Sequence, residues 1–294
     1  MFTAERFESL PKFADIRFKY VYDFTLDAWL VIEEGGTVAV LSATQENTFK
    51  ESSGIIQLDM DILSDFDKFK KRPEYSLVSI KVPEKNSITI EALQEMYELA
   101  FVGSVLVRAV NHNVGCNPDD AWTQIDKALK WIRSTDFFKA PASSVYHDSY
   151  EGGLCYHSLK VAQNIIDLMH CEKFNNSAKL GDAILCALVH DWCKIDMYES
   201  YIKNVKNDAT GVWDHVSAFR YKGSAVINLG HGVSSMFLAS KFFRLNLEEA
   251  SAIRWHMGAY RTSDAEFDEL QTCNEQFPLV HLLQFADQLS LVKF

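Results

Sequence analysis

Four histidines and two aspartates are the residues of this 294-residue chain whose types and placing could do chemistry: His157, His190, Asp191, His231, His256 and Asp287. His190 and Asp191 are adjacent at the end of the apolar run Ile184-Leu-Cys-Ala-Leu-Val, and a carboxylate there needs compensation, because burying it unpaired costs several kcal/mol or forces it to give up its charge. Asp287 raises the same question on the last predicted helix, where it falls among Leu279, Val280, Leu283 and Leu291. His157 lies at the edge of the stripe Val161, Ile165, Leu168, beside the core. His231 is flanked by Gly230 and Gly232, whose loose backbone lets it turn toward a site, and His256 closes the segment Ile253-Arg-Trp-His. Taken singly, each histidine is more readily a structural residue. Taken together, they form a donor set without thiolates that suits Mn, Fe, Co, Ni, Zn or a Mg-containing pair and does not choose among them.

Other residues near this set could touch a substrate. Lys194 follows Asp191 by three positions, so on a continuing helix His190, Asp191 and Lys194 project to one side, and its ammonium suits a phosphate, with an ion pair to nearby Asp196 or Glu199 as the plainer alternative. His147 and Glu151 precede His157 by a short distance, and Arg254 precedes His256 by two. Lys206 lies in a stretch, Lys203 to Gly223, that reads as a hairpin-like flap whose Trp213, tyrosine and lysines could stack a base and contact phosphate. A mere packing insertion is the equal alternative for the flap. His215 and His281 read as ordinary structural or surface residues.

The elements that must position these groups are mostly helices. Ala121–Arg133, Leu154–Met169, Leu180–Ile195, Val233–Phe243, Leu247–Met257 and Pro278–Val292 carry helical periodicity. Asn246 with Glu249 predicts a capping box, and Pro278 suits a first helical turn. Residues 1–118 differ in texture: Trp29–Ile32, Thr37–Leu41, Gly54–Leu58 and Tyr75–Val82 read as short strands, followed by a helix over Ile90–Val110. The expected fold class is therefore α+β, with a small α+β domain over 1–118 of unknown role and an all-helical domain over 119–294. The first domain covers the second, binds a partner or supports homo-oligomerisation.

Bulk properties exclude several classes. A hydrophobic content of 48% can fill a sizeable core, and no apolar run is long enough to span a bilayer, so no membrane partner is expected. The N-terminal residues lack the basic start and apolar run of a secretion signal, which predicts a cytoplasmic protein. The six cysteines show no Cys-x-x-Cys spacing and read as reduced core residues. A net charge of −11 opposes a long nucleic acid as partner, and the one basic cluster, Lys68 to Arg72, reads as a solvated helix end or loop. A small anionic substrate held by local charges remains compatible with this balance.

The order His157, His190-Asp191, Asp287 resembles the HD-domain superfamily of metal-dependent phosphohydrolases, and the additional His231 and His256 resemble its binuclear branch. The resemblance covers about residues 119–294. Ala140-Pro-Ala-Ser-Ser-Val-Tyr-His147-Asp-Ser-Tyr-Glu-Gly-Gly-Leu-Cys-Tyr-His157 is similar to the entry segment of bacterial HD hydrolases, including HD-type 3′-5′ exoribonucleases, and His190-Asp-Trp-Cys-Lys194 resembles the family's HD-x-x-K segment. The exoribonucleases tend to carry two adjacent histidines where this chain has His147-Asp148, and their OB domain has no counterpart here. The Gly-Tyr-Pro signature of the HD-GYP cyclic dinucleotide phosphodiesterases is absent as well.

The resemblance implies an all-helical fold in which one ion takes His157, His190, Asp191 and Asp287, while Asp191 bridges to a second ion held by His231 and His256. Asp191 and Lys194 then carry the chemistry, a metal-bridging hydroxide cleaving a phosphate ester of a nucleotide or related small molecule. Two rivals stand beside that expectation: a 3′-5′ exonuclease or cyclic nucleotide phosphodiesterase, and a non-catalytic metal- or nucleotide-binding sensor.

Overall fold

The structure, a computed structural model, describes five strand segments between residues 16 and 80, a few positions from 82 to 89, helix 90–111, and residues 118–292 apart from 172, 175–176, 209, 224–228 and 261. The described residues are mostly helical, with three small antiparallel sheets. The expected strand at 54–58, the basic cluster at 68–72 and Cys116 lie outside the described residues.

In the first part, β1 (Ile16–Arg17) pairs with β5 (Ser79–Ile80), and β2 (Val21–Asp23), β3 (Ala28–Ile32) and β4 (Val38–Ser42) form a meander. The helices follow: α1 (Ile90–Asn111), α2 (Pro118–Arg133), α3 (Gly153–Met169), α4 (Leu180–Val189), α5 (His231–Ser240), α6 (Leu247–Trp255), α7 (Asp264–Gln276) and α8 (Pro278–Leu291). Between α4 and α5, β6 (Tyr198–Lys206) and β7 (Trp213–Tyr221) form an antiparallel hairpin. None of the described helices is long and apolar enough to cross a membrane.

The arrangement centres on α4. Its sequence, Leu-Gly-Asp-Ala-Ile-Leu-Cys-Ala-Leu-Val, is apolar all round, and such a helix has to be enclosed on every side. All ten of its residues are buried, with α1, α3, α6 and α8 packed about it. The crossing with α1 is tight at Gly181, where a Cβ would sit 2.4 Å from the backbone nitrogen of Arg108. The boundary expected near residue 118 falls between α1 and α2, whose buried residues, from Leu93 to Ile132, belong to one core with α3, α4, α6 and α8.

Several polar groups inside this core are paired. Arg108 donates from Nε to Glu249 Oε1 and from Nη2 to Glu249 Oε2 (2.9 Å) and the Arg244 carbonyl (2.7 Å). The same glutamate closes the capping box of α6: its backbone N–H donates to Asn246 Oδ1, and its Oε2 accepts from the Asn246 N–H. The box expected from sequence is therefore present, and its carboxylate also ties α6 to α1. Under the site, the Trp192 indole N–H donates to the Tyr97 hydroxyl, which donates in turn to the Leu188 carbonyl.

Three local expectations change. The Leu180–Ile195 helix ends at Val189, and His190 and Asp191 lead into a separate 3₁₀ turn, Trp192–Lys194. Helix α7, started by a Ser263–Glu266 capping box, was not expected; its sequence is mostly polar, and among its residues only Leu270 is fully buried, which leaves a weak apolar stripe to read. Cys155, Cys186 and Cys193 are buried free thiols, as read, but Cys171 is exposed and Cys273 half-buried.

Candidate metal centre

Each of the six candidate donors stands at a helix end or on a buried helix face. His157 is on α3, His190 is the C-cap of α4, Asp191 opens the 3₁₀ turn, His231 is the first residue of α5, His256 is the C-cap of α6, and Asp287 is on α8. The break after Val189 matters here, because the turn lets both oxygens of Asp191 reach different partners. Gly232 is what brings α5 close to α6: a Cβ there would lie 2.0 Å from the Arg254 carbonyl oxygen. That approach sets the His231 and His256 rings 5.2 Å apart.

Around His157 the donor atoms cluster tightly. His157 Nε2 lies 3.2 Å from His190 Nε2, 3.3 Å from Asp191 Oδ2 and 3.2 Å from Asp287 Oδ1. His190 Nε2 lies 3.5 Å from Asp191 Oδ2 and 3.9 Å from Asp287 Oδ1. Atoms bound about 2.0–2.1 Å from one tetrahedral ion stand about 3.3 Å from one another, and these separations bracket that value. The other oxygen of Asp191, Oδ1, accepts from His231 Nε2 at 2.7 Å and lies 3.7 Å from His256 Nε2. The donors thus fall into buried groups that could hold a metal ion: His157, His190 and Asp191; His190, His256 and Asp287; and, half-buried at its histidine, Asp191, Cys193 and His231.

Hydrogen bonding fixes which ring atom faces the centre. His190 Nδ1 is 2.7 Å from the Ala187 carbonyl and His256 Nδ1 is 2.7 Å from the Ile253 carbonyl, so each Nδ1 carries the proton and each Nε2 presents a lone pair. Ser290 Oγ donates to the Asp287 carbonyl (2.6 Å) and accepts from His157 Nδ1 (3.2 Å), which aims His157 Nε2 inward as well. The bare Nε2 atoms of His190 and His256 therefore face carboxylate oxygens at 3.5, 3.9 and 3.7 Å, acceptor against acceptor, and His256 Nε2 is fully buried with no hydrogen-bond partner. A cation is the species that turns this arrangement from repulsive to attractive.

The titration behaviour agrees with that geometry. Burial pushes the His256 imidazole down to about 3 and lowers His190, so both are neutral at pH 7. Burial also opposes charge on His157 and His231, but hydrogen bonds to the aspartates outweigh it and raise them to about 9 and about 10. Asp191 and Asp287 are held below the usual carboxylate range: burial pushes each up, and Lys194 with the histidines, for Asp191, and His157 first, for Asp287, more than offset it. Lys194 Nζ is 2.6 Å from Asp191 Oδ2, and this pairing raises its ammonium against the effect of burial.

A pH dependence follows. Protonated His157 stabilises the cation-free fold fully below its ordinary value near 6.5, and that contribution disappears as pH rises through about 9. A metal ion has to displace this proton and the one on His231, so apparent metal affinity should climb between pH 6.5 and 9, by up to about tenfold per pH unit for each proton released. Competition titrations with a chromophoric chelator at pH 6.5, 7.5 and 8.5 measure the slope; a flat profile would contradict the protonation pattern.

The remaining sequence candidates separate into two groups. His147 joins the cluster: its ring is 5.0 Å from that of His157, its Nε2 is buried without a partner, and burial, with His157 and Lys194 nearby, lowers it to about 4. Glu151 is exposed in the turn that precedes α3. Arg254 is committed elsewhere, with Nη2 2.7 Å from Glu269 and its guanidinium 4.4 Å over the Trp255 ring. Lys206 pairs with Trp213 at the far end of the hairpin, about 26 Å along the strand from Tyr198 at its base. The aromatic pair at the base of the hairpin is Tyr198 and Tyr221, with ring centroids 5.0 Å apart.

Sequence reading missed Cys193 and Ser290. Cys193 had a signal, its place two residues after Asp191, but was read as a core thiol; Ser290, one turn beyond Asp287, carried none. In comparisons with known proteins, no family model, curated protein or solved structure matches this chain.

Proposed function

We propose that this chain is a binuclear metal-dependent phosphohydrolase of the HD type, cleaving a phosphate ester of a nucleotide or a related small molecule. The observation that carries this reading is the convergence of four imidazole Nε2 atoms, those of His190 and His256 bare, on two ionised carboxylates, with separations suited to a shared ion. His157, His190, Asp191 and Asp287 would hold one ion, and Asp191, His231 and His256 the other. When bound, such a pair supplies a nucleophilic water at neutral pH and positive charge for phosphoryl oxygens. Lys194 keeps Asp191 ionised and fixes its Oδ2, leaving Oδ1 for the His231 side. His147, neutral at pH 7, offers a hydrogen bond to a phosphate ester arriving beside His157. The net charge of −11 favours a small substrate over a long polyanion. In this reading residues 119–294, with α1, form the catalytic body, and the first part is accessory.

The test is metal content of gently purified protein, paired with a phosphate-release screen over nucleotides, generic phosphodiesters and oligoribonucleotides with Mn, Mg, Co, Ni or Zn added. Near two ions per chain with turnover of a small ester is the expected result. Stepwise shortening of oligoribonucleotides would favour the exonuclease, bound metal without turnover a sensor, and absence of metal binding would remove the reading altogether.

A further inference from the structure

Cys193 stands where the proposed second ion would be held. Its Sγ lies 3.4 Å from His231 Nδ1 and 3.6 Å from Nε2, and the sulfur, a His231 nitrogen and an Asp191 oxygen all fall within 4.8 Å of one another. The thiol is on a fixed segment: the Cys193 backbone N–H donates to Ser235 Oγ on α5 (3.1 Å), and the 3₁₀ turn is closed by Lys194 N–H to the Asp191 carbonyl at 3.0 Å. A second observation points to a ligand at the same place. The unpartnered, fully buried Nε2 of His256 faces Asp191 Oδ1, the oxygen that also contacts His231. A nitrogen and a sulfur bound to one tetrahedral zinc-sized ion stand about 3.6 Å apart, which is the Cys193–His231 separation found here.

We propose that Cys193 is a thiolate ligand of the ion on the His231 side of Asp191, so that this half of the centre selects a thiophilic divalent ion such as Zn(II), Co(II) or Fe(II) over Mg(II). The claim rests on the metal-dependent reading above and adds to it the chemical class of one ion. Sulfur binds as thiolate, so the S–H proton leaves to solvent as the metal–sulfur bond forms, with no change of oxidation state. The His157 side offers only nitrogen and oxygen and discriminates less among first-row ions and Mg(II). The two halves therefore differ in hardness, and the expected occupancy is a mixed pair rather than two identical magnesium ions.

Cobalt titration of the full chain tests this, because a thiolate on Co(II) gives a near-ultraviolet charge-transfer band that nitrogen and oxygen ligands do not. The wild-type protein should develop that band as cobalt binds. Cys193→Ser, of nearly the same size, should still bind cobalt at the His157 side but lose the band, and its zinc affinity at the other side should fall by at least about tenfold, since even outer-shell changes cost that much. Cobalt bound by wild type without the band, or a band that survives in Cys193→Ser, would overturn the thiolate ligand while leaving the metal-dependent reading standing. No cobalt binding by wild type at all would sink both. The wild-type spectrum decides the matter even where the variant fails to fold.

Discussion

Replacing Asp191 with Asn should weaken metal binding in both halves of the proposed centre and, on the phosphohydrolase reading, abolish hydrolysis. The two oxygens of this residue touch different groups: Oδ2 lies against His157, His190 and Lys194, and Oδ1 against His231 and His256. No other carboxylate among the described residues has this reach across the cluster. An amide keeps the shape but removes the charge, and its nitrogen turns one acceptor into a donor. Loss of Lewis-acid stabilisation worth several kcal/mol corresponds to a rate reduction on the order of 10³-fold or more. A stability effect should accompany it, because Lys194 is left buried with its ion-pair partner neutralised, a type of change that costs about 3–5 kcal/mol. Metal analysis, turnover and urea unfolding of the purified variant report the three effects separately. His281→Ala, on the half-exposed face of α8 where the ring stacks on Phe285, should leave all three unchanged. Full metal content in the Asp191→Asn protein would show that the ions lie elsewhere.

Glu249→Ala should be the most destabilising substitution away from the centre. The carboxylate is completely buried, pairs with Arg108 through both oxygens, and closes the Asn246 capping box. Its loss leaves a guanidinium nearly buried and unpaired, which costs about 3–5 kcal/mol, and frays the start of α6 by about another 1 kcal/mol. Because α6 ends at His256, a shift of this helix would also move that candidate donor. The midpoint of urea unfolding should drop accordingly, and Arg108→Met in the same chain should recover much of the loss by removing the stranded charge. A midpoint within about 1 kcal/mol of wild type would mean that water reaches Arg108.

Much of this follows from the residues in order. The apolar run ending at Val189 demands a buried helix wherever it sits, and Asn246, Glu249 and Pro278 mark helix starts by local backbone chemistry that needs no tertiary partner. The alternation between residues 203 and 223 gave the hairpin, and the improbable burial of Asp287 singled it out before any neighbour was known. The six donors converge in the structure for the same reason they stood out in the chain: charged or basic groups on apolar faces have to meet one another.

What the chain could not specify by itself are directions and breaks. Nothing in His-Asp-Trp-Cys-Lys says that α4 stops at Val189; the turn forms where Trp192 inserts against Trp131 and Phe101 and its indole bonds to Tyr97, contacts made by distant segments. Lys206 and Arg254 have the right chemistry, but strand length carries the first away and Glu269, on a helix with little apolar pattern, captures the second. The lone pairs of His190 and His256 point inward because their Nδ1 protons are taken by carbonyls three residues earlier at helix ends, an orientation that composition and spacing leave undetermined. Residue type decided which groups would have to be compensated, whereas the crossing of α5 over α6 at Gly232 and the turn after Val189 decided which of them, Cys193 included, face a common point.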